Sequence, residues 1–148
     1  DSEGVNSNTL QLIENGILKN YLVDTYNGKK LNLKSNGRSG GTTNLYFEKG
    51  NISYEDLMKK NSRSLYITET IGHGSNLVTG DYSVGATGFL VEDGEFKYPV
   101  NEITIAGNFK DMFKNIILAN DLEFEYSVNS PTMMIEGMTV AGKWAVIV

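Results

Sequence analysis

Three residues near the middle of the chain, His73, Asp81 and Ser83, could form a nucleophilic site if the fold brought them together. Serine hydrolysis needs a base that accepts the serine proton and a carboxylate that orients this base. The Gly-x-Ser-x-Gly motif is absent, and nearness in sequence does not establish hydrogen-bond geometry. An independent hydrolase using these residues is therefore one hypothesis, beside a strand end packed only for structure.

The single histidine lies between two glycines, Gly72 and Gly74, which predicts a loop position. In such a loop His73 could contact a substrate or transfer a proton, whereas the ordinary interpretation is a solvated loop side chain. A metal site needs three or four converging donors, and the chain offers one histidine and no cysteine. We expect neither a zinc site built from this chain alone nor a thiol nucleophile.

Charge and hydropathy exclude two further classes of function. The chain carries 13 Lys and Arg against 18 Asp and Glu, a net charge of -5, which leaves no basic excess to neutralise nucleic-acid phosphates. No stretch approaches the roughly 20 apolar residues of a membrane span, and residues 1–9 lack the apolar segment of a signal peptide. We expect neither direct nucleic-acid binding nor a membrane partner.

Strands and tight turns dominate the predicted elements. Asn15-Gly16 and Asp93-Gly94 suit the turns of two hairpins, whose strands cover 9–13 with 17–18 and 83–92 with 96–100. Further strands are predicted at 43–47, 65–70, 103–105, 132–135 and 143–148. Pro99 indicates a sheet edge or a bulge. The glycines of 85–88 indicate close backbone approach, by a neighbouring strand or by an extended peptide added at a sheet edge.

Helical signals are fewer. Residues 21–34 favour a helix, although Asn27-Gly28 equally suits a hairpin turn. Ser53 and Asp56 predict a capped helix ending near residue 61. Asn108 is expected to cap a third segment closing at Asn120-Asp121, with an apolar stripe at helical spacing formed by Phe109, Met112, Phe113, Ile116 and Ile117. Residues 35–43 hold no apolar side chain and predict an exposed loop.

A long run from Thr79 to Phe89, followed by 98–108 ending in Ile-Ala-Gly-Asn, resembles the C-terminal domain of the TldD/PmbA family, also called modulator of DNA gyrase. Residues 1–5, the hairpin at 12–16 and Thr43-Asn44-Leu45 also resemble the family's pattern. Nearly the whole chain is covered. The resemblance implies an α+β domain of mostly antiparallel strands with about two helices packed on the sheet. The chain begins without Met, so we expect one domain over 1–148 that is the C-terminal fragment of a longer protein lacking its N-terminal domain.

The resemblance also implies a function. Members of the family form a cytoplasmic, two-subunit metallopeptidase that cleaves unfolded peptides. In the catalytic subunit, zinc is held by a His-Glu-x-x-x-His helix, which would lie upstream of Asp1, and by a cysteine near the C-terminus. Here the stretch 122–130, where that cysteine is expected, contains none; Glu123 or Glu125 could ligate zinc, but surface carboxylates are the ordinary interpretation.

The motif wording is more similar to the PmbA/TldE branch, the subunit without zinc. We therefore expect a non-catalytic subunit with no cofactor of its own, with zinc in a TldD-like partner, a heterodimer or a self-dimer, and unfolded peptide as substrate. The resemblance implies that the glycine-rich hairpin faces either the internal chamber of the enzyme or the other subunit. We predict substrate-binding roles for residues of this hairpin and its preceding loop: His73, Thr79, Asp81, Ser83 and Gly85. The alternatives are a peptide-binding module that acts by strand addition and the independent hydrolase.

Overall fold

The computed structural model describes residues 1–142. Its strands are β1 (Ile13–Glu14), β2 (Ile17–Leu18), β3 (Leu45–Tyr46), β4 (Arg63–Ile71), β5 (Asp81–Glu92), β6 (Glu95–Asn108), β7 (Ile116–Leu118), β8 (Val128–Asn129), β9 (Met133–Ile135) and β10 (Thr139–Ala141). Its helices are α1 (Thr25–Leu31), α2 (Tyr54–Met58) and α3 (Phe109–Met112). The fold is α+β with mostly antiparallel pairing, as predicted. The strand predicted at 143–148 lies outside the described residues.

The chain forms two compact units, and the first comprises Asp1–Tyr46 with Glu125–Asn129. Its β1–β2 hairpin turns at Asn15 and Gly16, with φ of 50° and 75°, which confirms the predicted turn but leaves strands of two residues each. Helix α1 is confirmed, because the Asp24 side chain caps it by accepting from the Asn27 amide at 2.6 Å. The alternative of a hairpin at Asn27-Gly28 is wrong, since Gly28 is buried within the helix.

The prediction of an exposed loop over 35–43 is wrong for its first half. Gly37 is buried, and a Cβ placed on it would lie 2.5 Å from the Asn6 carbonyl oxygen. Close packing of this backbone against the N-terminal segment therefore excludes solvent, although no apolar side chain is present to indicate it. The short strands β3 and β8 complete this unit and pair in parallel.

The second unit comprises Phe47–Phe124 and, of the described residues, 130–142. It contains a four-stranded antiparallel sheet in the order β10-β6-β5-β4. The core covers one face of this sheet and is formed by Val84, Ala86, Leu90, Val100, Ile103 and Ile105. The β5–β6 turn at Asp93 and Gly94 is confirmed, with φ of 52° and 84°. Pro99 was predicted to mark an edge or a bulge. Register irregularities against β5 lie on both sides of it, and among the described strands β10 pairs with β6 only at 104–106.

The predicted helix over 108–121 is wrong after its first turn. Asn108 caps α3 as expected, accepting from the Lys110 amide at 3.1 Å, but α3 ends at Met112. Residues 116–118 instead form β7, antiparallel to β9. Two β-branched isoleucines suit a strand, and β9 supplies a partner that the local sequence does not contain. Asn120 closes no helix; its amide donates to the Ile52 carbonyl at 2.9 Å.

Helix α2 is confirmed, although it is shorter than predicted. The Ser53 hydroxyl accepts from the Asp56 amide at 3.0 Å, and Leu57 and Met58 are buried on its inner side. No helix of the described part of the chain is long and apolar enough to cross a membrane.

Candidate functional site

The connection between β4 and β5 forms a folded turn that holds most of the predicted site residues. The Ser83 amide donates to the Gly74 carbonyl, and the Asn76 amide to the Asp81 carbonyl, both at 2.8 Å. The Asn76 side chain accepts from the amides of Val78 and Thr79 at 3.0 and 3.2 Å. Five glycine, asparagine and serine residues in this stretch permit such tight backbone geometry. The turn is therefore fixed by its own hydrogen bonds.

The close approach of this turn to β5 requires a glycine at position 74. A Cβ at Gly74 would lie 1.6 Å from the carbonyl oxygen of Ser83, a distance that no side chain tolerates. Gly80 has a φ of +84°, in the left-handed region, and its carbonyl accepts from the Phe109 amide at 2.8 Å. These two glycines bring the turn against the start of β5 and the end of β6.

Asp81 is the best-held of the predicted site residues. Its Oδ2 accepts from the Thr79 hydroxyl at 2.7 Å, and its Oδ1 accepts from the Asn108 side-chain amide at 3.0 Å. These hydrogen bonds, the one from Thr79 first, lower the pKa of the Asp81 carboxyl below its usual value because they favour the ionised form. The carboxylate is exposed and keeps lone pairs for a further donor such as a peptide N–H.

Asp81, Ser83 and Gly85 lie on one side of β5, opposite the buried side that carries Val84 and Ala86. We call these three residues the polar row. Its members repeat every two residues, about 7 Å apart, which is also the side-chain repeat of an extended peptide. The structure thus places Thr79 next to Asp81, at the first position of the polar row.

His73 does not join this group into a catalytic triad. Its side chain is exposed and makes no hydrogen bond to Asp81 or Ser83 within residues 1–142. The two oxygens of Asp81 are instead held by Thr79 and Asn108. No base is therefore positioned on Ser83, and the geometry of an independent serine hydrolase is absent from the described residues.

The glycine-rich stretch 85–88 does not lie at a sheet edge, so strand addition at this place is excluded. Strand β5 is hydrogen-bonded to β4 on one side and to β6 on the other. A Cβ at Gly88 would lie 1.9 Å from the Tyr66 carbonyl oxygen, so the close approach comes from the neighbouring strand. Among the described strands, β4 ends the sheet on this side.

Two features of the turn were not predicted from sequence. Leu77 and Val78 are 87% and 95% exposed, at the tip of the turn. Large apolar side chains are rarely so accessible, and no periodic pattern indicates their exposure. Asn108 was predicted only as a helix cap, and its bond to Asp81 joins residues 27 positions apart.

The donor set of the chain does not fit a metal centre. Within residues 1–142, no group of three or more His, Cys, Asp or Glu side chains converges on a position that could hold an ion. The remaining residues, Lys-Trp-Ala-Val-Ile-Val, contain none of these four types. Glu123 and Glu125 are exposed surface carboxylates. This chain alone therefore provides no zinc ligands of the usual number.

A family model described as the PmbA/TldA metallopeptidase C-terminal domain matches residues 1–142. The chain belongs to the PmbA/TldD family. It is 43% identical over 144 residues to the metalloprotease PmbA of Escherichia coli O157:H7, which covers 97% of this chain and 32% of that protein. It is 27% identical over 168 residues to a metalloprotease TldD homolog of Buchnera aphidicola subsp. Schizaphis graminum, covering 96% of this chain and 35% of the relative.

Solved structures agree with this family. A Thermotoga maritima protein described as a modulator of a DNA gyrase superposes with a TM-score of 0.87 at 35% identity, covering 95% of this chain and 35% of the other. TldE from Thermococcus kodakarensis gives a TM-score of 0.79 at 29% identity, with coverages of 96% and 36%. The chain thus spans about a third of the length of its relatives. The predicted family and its PmbA-like branch are confirmed.

Proposed function

We propose that this PmbA/TldD domain belongs to a non-catalytic, PmbA/TldE-like subunit of a cytoplasmic metallopeptidase that processes or degrades unfolded peptides. One observation carries the proposal: a chain of a metallopeptidase family offers one histidine, no cysteine and, within residues 1–142, no converging donor group. A hydrolytic zinc normally keeps three protein ligands. The cysteine ligand that the family resemblance expects near the C-terminus is missing from this chain. The proposal therefore assigns the zinc to a TldD-like partner, and it is supported by the TldD and TldE names found among similar proteins.

The polar row and its turn are the proposed substrate-binding surface, comprising His73, Thr79, Asp81, Ser83 and Gly85. An unfolded peptide presents backbone N–H groups, and the ionised, exposed Asp81 is an acceptor fixed in advance by Thr79 and Asn108. Gly85 leaves the row without a side chain at its inner end, where peptide backbone could lie close. His73 adds an exposed donor on the preceding loop.

The test is reconstitution of the pair. The protein is purified alone, its TldD-like partner is purified alone, and zinc content and hydrolysis of an unfolded peptide are measured for each and for the mixture. We expect about one zinc per partner chain and none on this protein. Hydrolysis is expected in the mixture or by the partner alone, and not by this protein alone. Stoichiometric zinc or peptide hydrolysis by this protein alone contradicts the proposal.

Variants of the polar row test the substrate surface within the active pair. Gly85→Ala adds a Cβ that meets only Ile71, at 3.6 Å, so the fold is expected to remain intact. We expect Gly85→Ala and Asp81→Asn to raise KM for peptide with less effect on kcat, because they act on binding. Glu95→Gln, at the far end of the same hairpin, is the control. Unchanged KM in both variants contradicts the assignment.

Strand addition is a second candidate, now at β4 rather than at 85–88. Thr68, Glu69, Thr70 and Ile71 are exposed, and β4 is the last described strand on its side of the sheet. Such an edge offers backbone groups to an extended peptide. This candidate predicts that the protein alone binds the peptide, measured by fluorescence anisotropy, and that Thr70→Pro weakens this binding. Binding that occurs only in the pair contradicts it.

A further inference from the structure

A cavity of about 430 Å³ lies in the first unit, away from the polar row in sequence. One wall is formed by Val5, Asn6, Asn8, Thr9 and Leu10, and the other contains Lys34, Ser35 and Asn36. Its volume falls in the lower part of the range of roughly 300–1,000 Å³ that is usual for small-ligand pockets. None of its residues belongs to the proposed substrate surface.

Internal hydrogen bonds hold the second wall in place. The Asn36 side chain accepts from the Val23 amide at 3.0 Å and donates to the Tyr21 carbonyl at 2.8 Å. The Ser35 hydroxyl donates to the Val23 carbonyl at 3.2 Å. These polar groups already have partners, so they shape the cavity without needing a ligand.

The remaining polar groups of the cavity have no such partners. The Lys34 ammonium forms no ion pair, and the side chains of Asn6, Asn8 and Thr9 form no hydrogen bond, within residues 1–142. These four residues are exposed and line the same cavity, so one ammonium, two amides and one hydroxyl are available there to a ligand. Val5 and Leu10 add aliphatic surface beside them.

Arg38 contacts the wall that contains Asn8 but does not line the cavity, so Lys34 is the one cation among the lining residues. The Arg38 Nη2 donates to the Asn8 carbonyl, and its Nε is buried with no acceptor among the described residues. No carboxylate forms an ion pair with this guanidinium in the same part of the chain.

We propose that this cavity binds a monocarboxylate carried on an aliphatic group. Lys34 pairs with the carboxylate, the side chains of Asn6, Asn8 and Thr9 donate to it, and Val5 and Leu10 contact the aliphatic part. One lysine with neutral amides suits a single negative charge better than a phosphate, which is recognised by several cations or bidentate arginines. This chemistry is shared by the carboxyl terminus of a peptide and by a free organic acid. The proposal does not depend on which subunit cleaves peptides.

The experiment titrates the protein with three probes, using isothermal calorimetry and backbone NMR shifts. The probes are acetyl-Gly-Gly-Val with a free carboxylate, the same peptide amidated at its C-terminus, and isobutyrate. We expect the amidated peptide to bind at least about tenfold more weakly than the free acid, since a hydrogen bond to a charged group contributes roughly 1.5–3 kcal/mol. Shifts should centre on residues 5–10 and 34–36. If the free-acid peptide binds more tightly than isobutyrate, the ligand is the carboxyl terminus of a peptide. If the two bind equally, the ligand is a free organic acid.

Lys34→Met and Lys34→Gln should each weaken binding of the free-acid peptide by about tenfold. Lys30→Met is the matched control, because Lys30 is an exposed lysine on α1 that does not line the cavity. Thermal unfolding midpoints within about 1 °C of the wild type confirm that each variant is folded. Equal affinity for the acid and the amide, unchanged affinity in both Lys34 variants, or no binding of any probe overturns the proposal.

Discussion

Asp81 links the chemistry of the turn to the pH dependence of folding. The hydrogen bonds from Thr79 and Asn108 exist only in the folded protein and favour the carboxylate over the carboxyl. The folded-state pKa of Asp81 therefore lies below the unfolded value. Its contribution to stability is fully present above the unfolded pKa and is lost as pH falls through the folded pKa. In the proposed substrate surface, these two donors would also hold the carboxylate in position for a peptide N–H.

Thr79→Val tests this arrangement, because it removes the hydroxyl donor and keeps a side chain of similar shape. We expect the pKa of Asp81, followed by carboxyl carbon NMR, to rise toward its ordinary value in the variant. In Asp81→Asn, the part of the decrease in unfolding free energy at acid pH that comes from protonation of Asp81 should be absent. Thr70→Val, an exposed change on β4, is the control and should leave the Asp81 titration unchanged. An ordinary Asp81 pKa in the wild-type protein would show that neither donor is effective.

Alanine substitutions at two glycines of β5 are expected to change the free energy of unfolding by very different amounts. Gly88→Ala places a Cβ 1.9 Å from the backbone oxygen of Tyr66, whereas Gly85→Ala meets Ile71 at an ordinary 3.6 Å. Overpacking against backbone forces β4 and β5 apart, so Gly88→Ala should lower the free energy of unfolding by about 3 kcal/mol or more. Gly85→Ala should change it by less than about 1 kcal/mol. Urea denaturation measures both, and equal effects would refute the strand spacing described here.

At the scale of elements, the sequence correctly predicted turns and helix caps that depend on neighbouring residues. It did not predict elements that depend on pairing with a distant segment. The Asn15-Gly16 and Asp93-Gly94 turns, the Ser53 cap and the Asn108 cap were all readable, because a few adjacent residues determine each of them. The apolar stripe after Asn108 was misread as one helix. Its second half pairs with β9, about 17 residues further on, and short apolar runs fit both periods.

The candidate site shows the same division. The predicted strand over 83–92 included Ser83 and Gly85 but not Thr79 or Asp81. The structure begins β5 at Asp81, and strand alternation therefore puts Asp81, Ser83 and Gly85 on one side. The sequence could not show that Asn108 rather than His73 would bind Asp81, since this depends on the register of β5 against β6. It also could not show that 85–88 is interior, because strand order is a property of the whole sheet.

Phe113→Asp distinguishes the two descriptions of the segment after Asn108. In a continuous helix packed on the sheet, Phe113 would be buried and the charge would unfold the protein. In the structure it is 42% exposed at the end of a one-turn helix, so we expect a loss of less than about 1 kcal/mol. Ile103→Ala, at a core position, should cost about 2–5 kcal/mol in the same urea experiment. A larger loss for Phe113→Asp than for Ile103→Ala would favour the continuous helix.

For the whole molecule, the scarcity of metal donors has a thermodynamic consequence that activity assays do not test. A ligand that binds only the folded state at about 100 times its Kd stabilises that state by about 2.7 kcal/mol. For a chain of this size such a gain raises the unfolding midpoint by several degrees. With one histidine and no cysteine, this 148-residue domain by itself should show no such gain with zinc and no loss with a chelator.

We therefore expect the thermal midpoint of the protein alone to stay within about 1 °C on adding zinc or EDTA, measured by circular dichroism. The proposed TldD-like partner, scanned in the same buffers, should lose several degrees with EDTA and regain them with zinc, because structural and catalytic metals stabilise the fold that binds them. Peptide hydrolysis by the pair should follow the partner's metal content alone. A zinc-dependent midpoint for this protein would place ligands on its own chain and remove the physical basis for assigning catalysis to the partner.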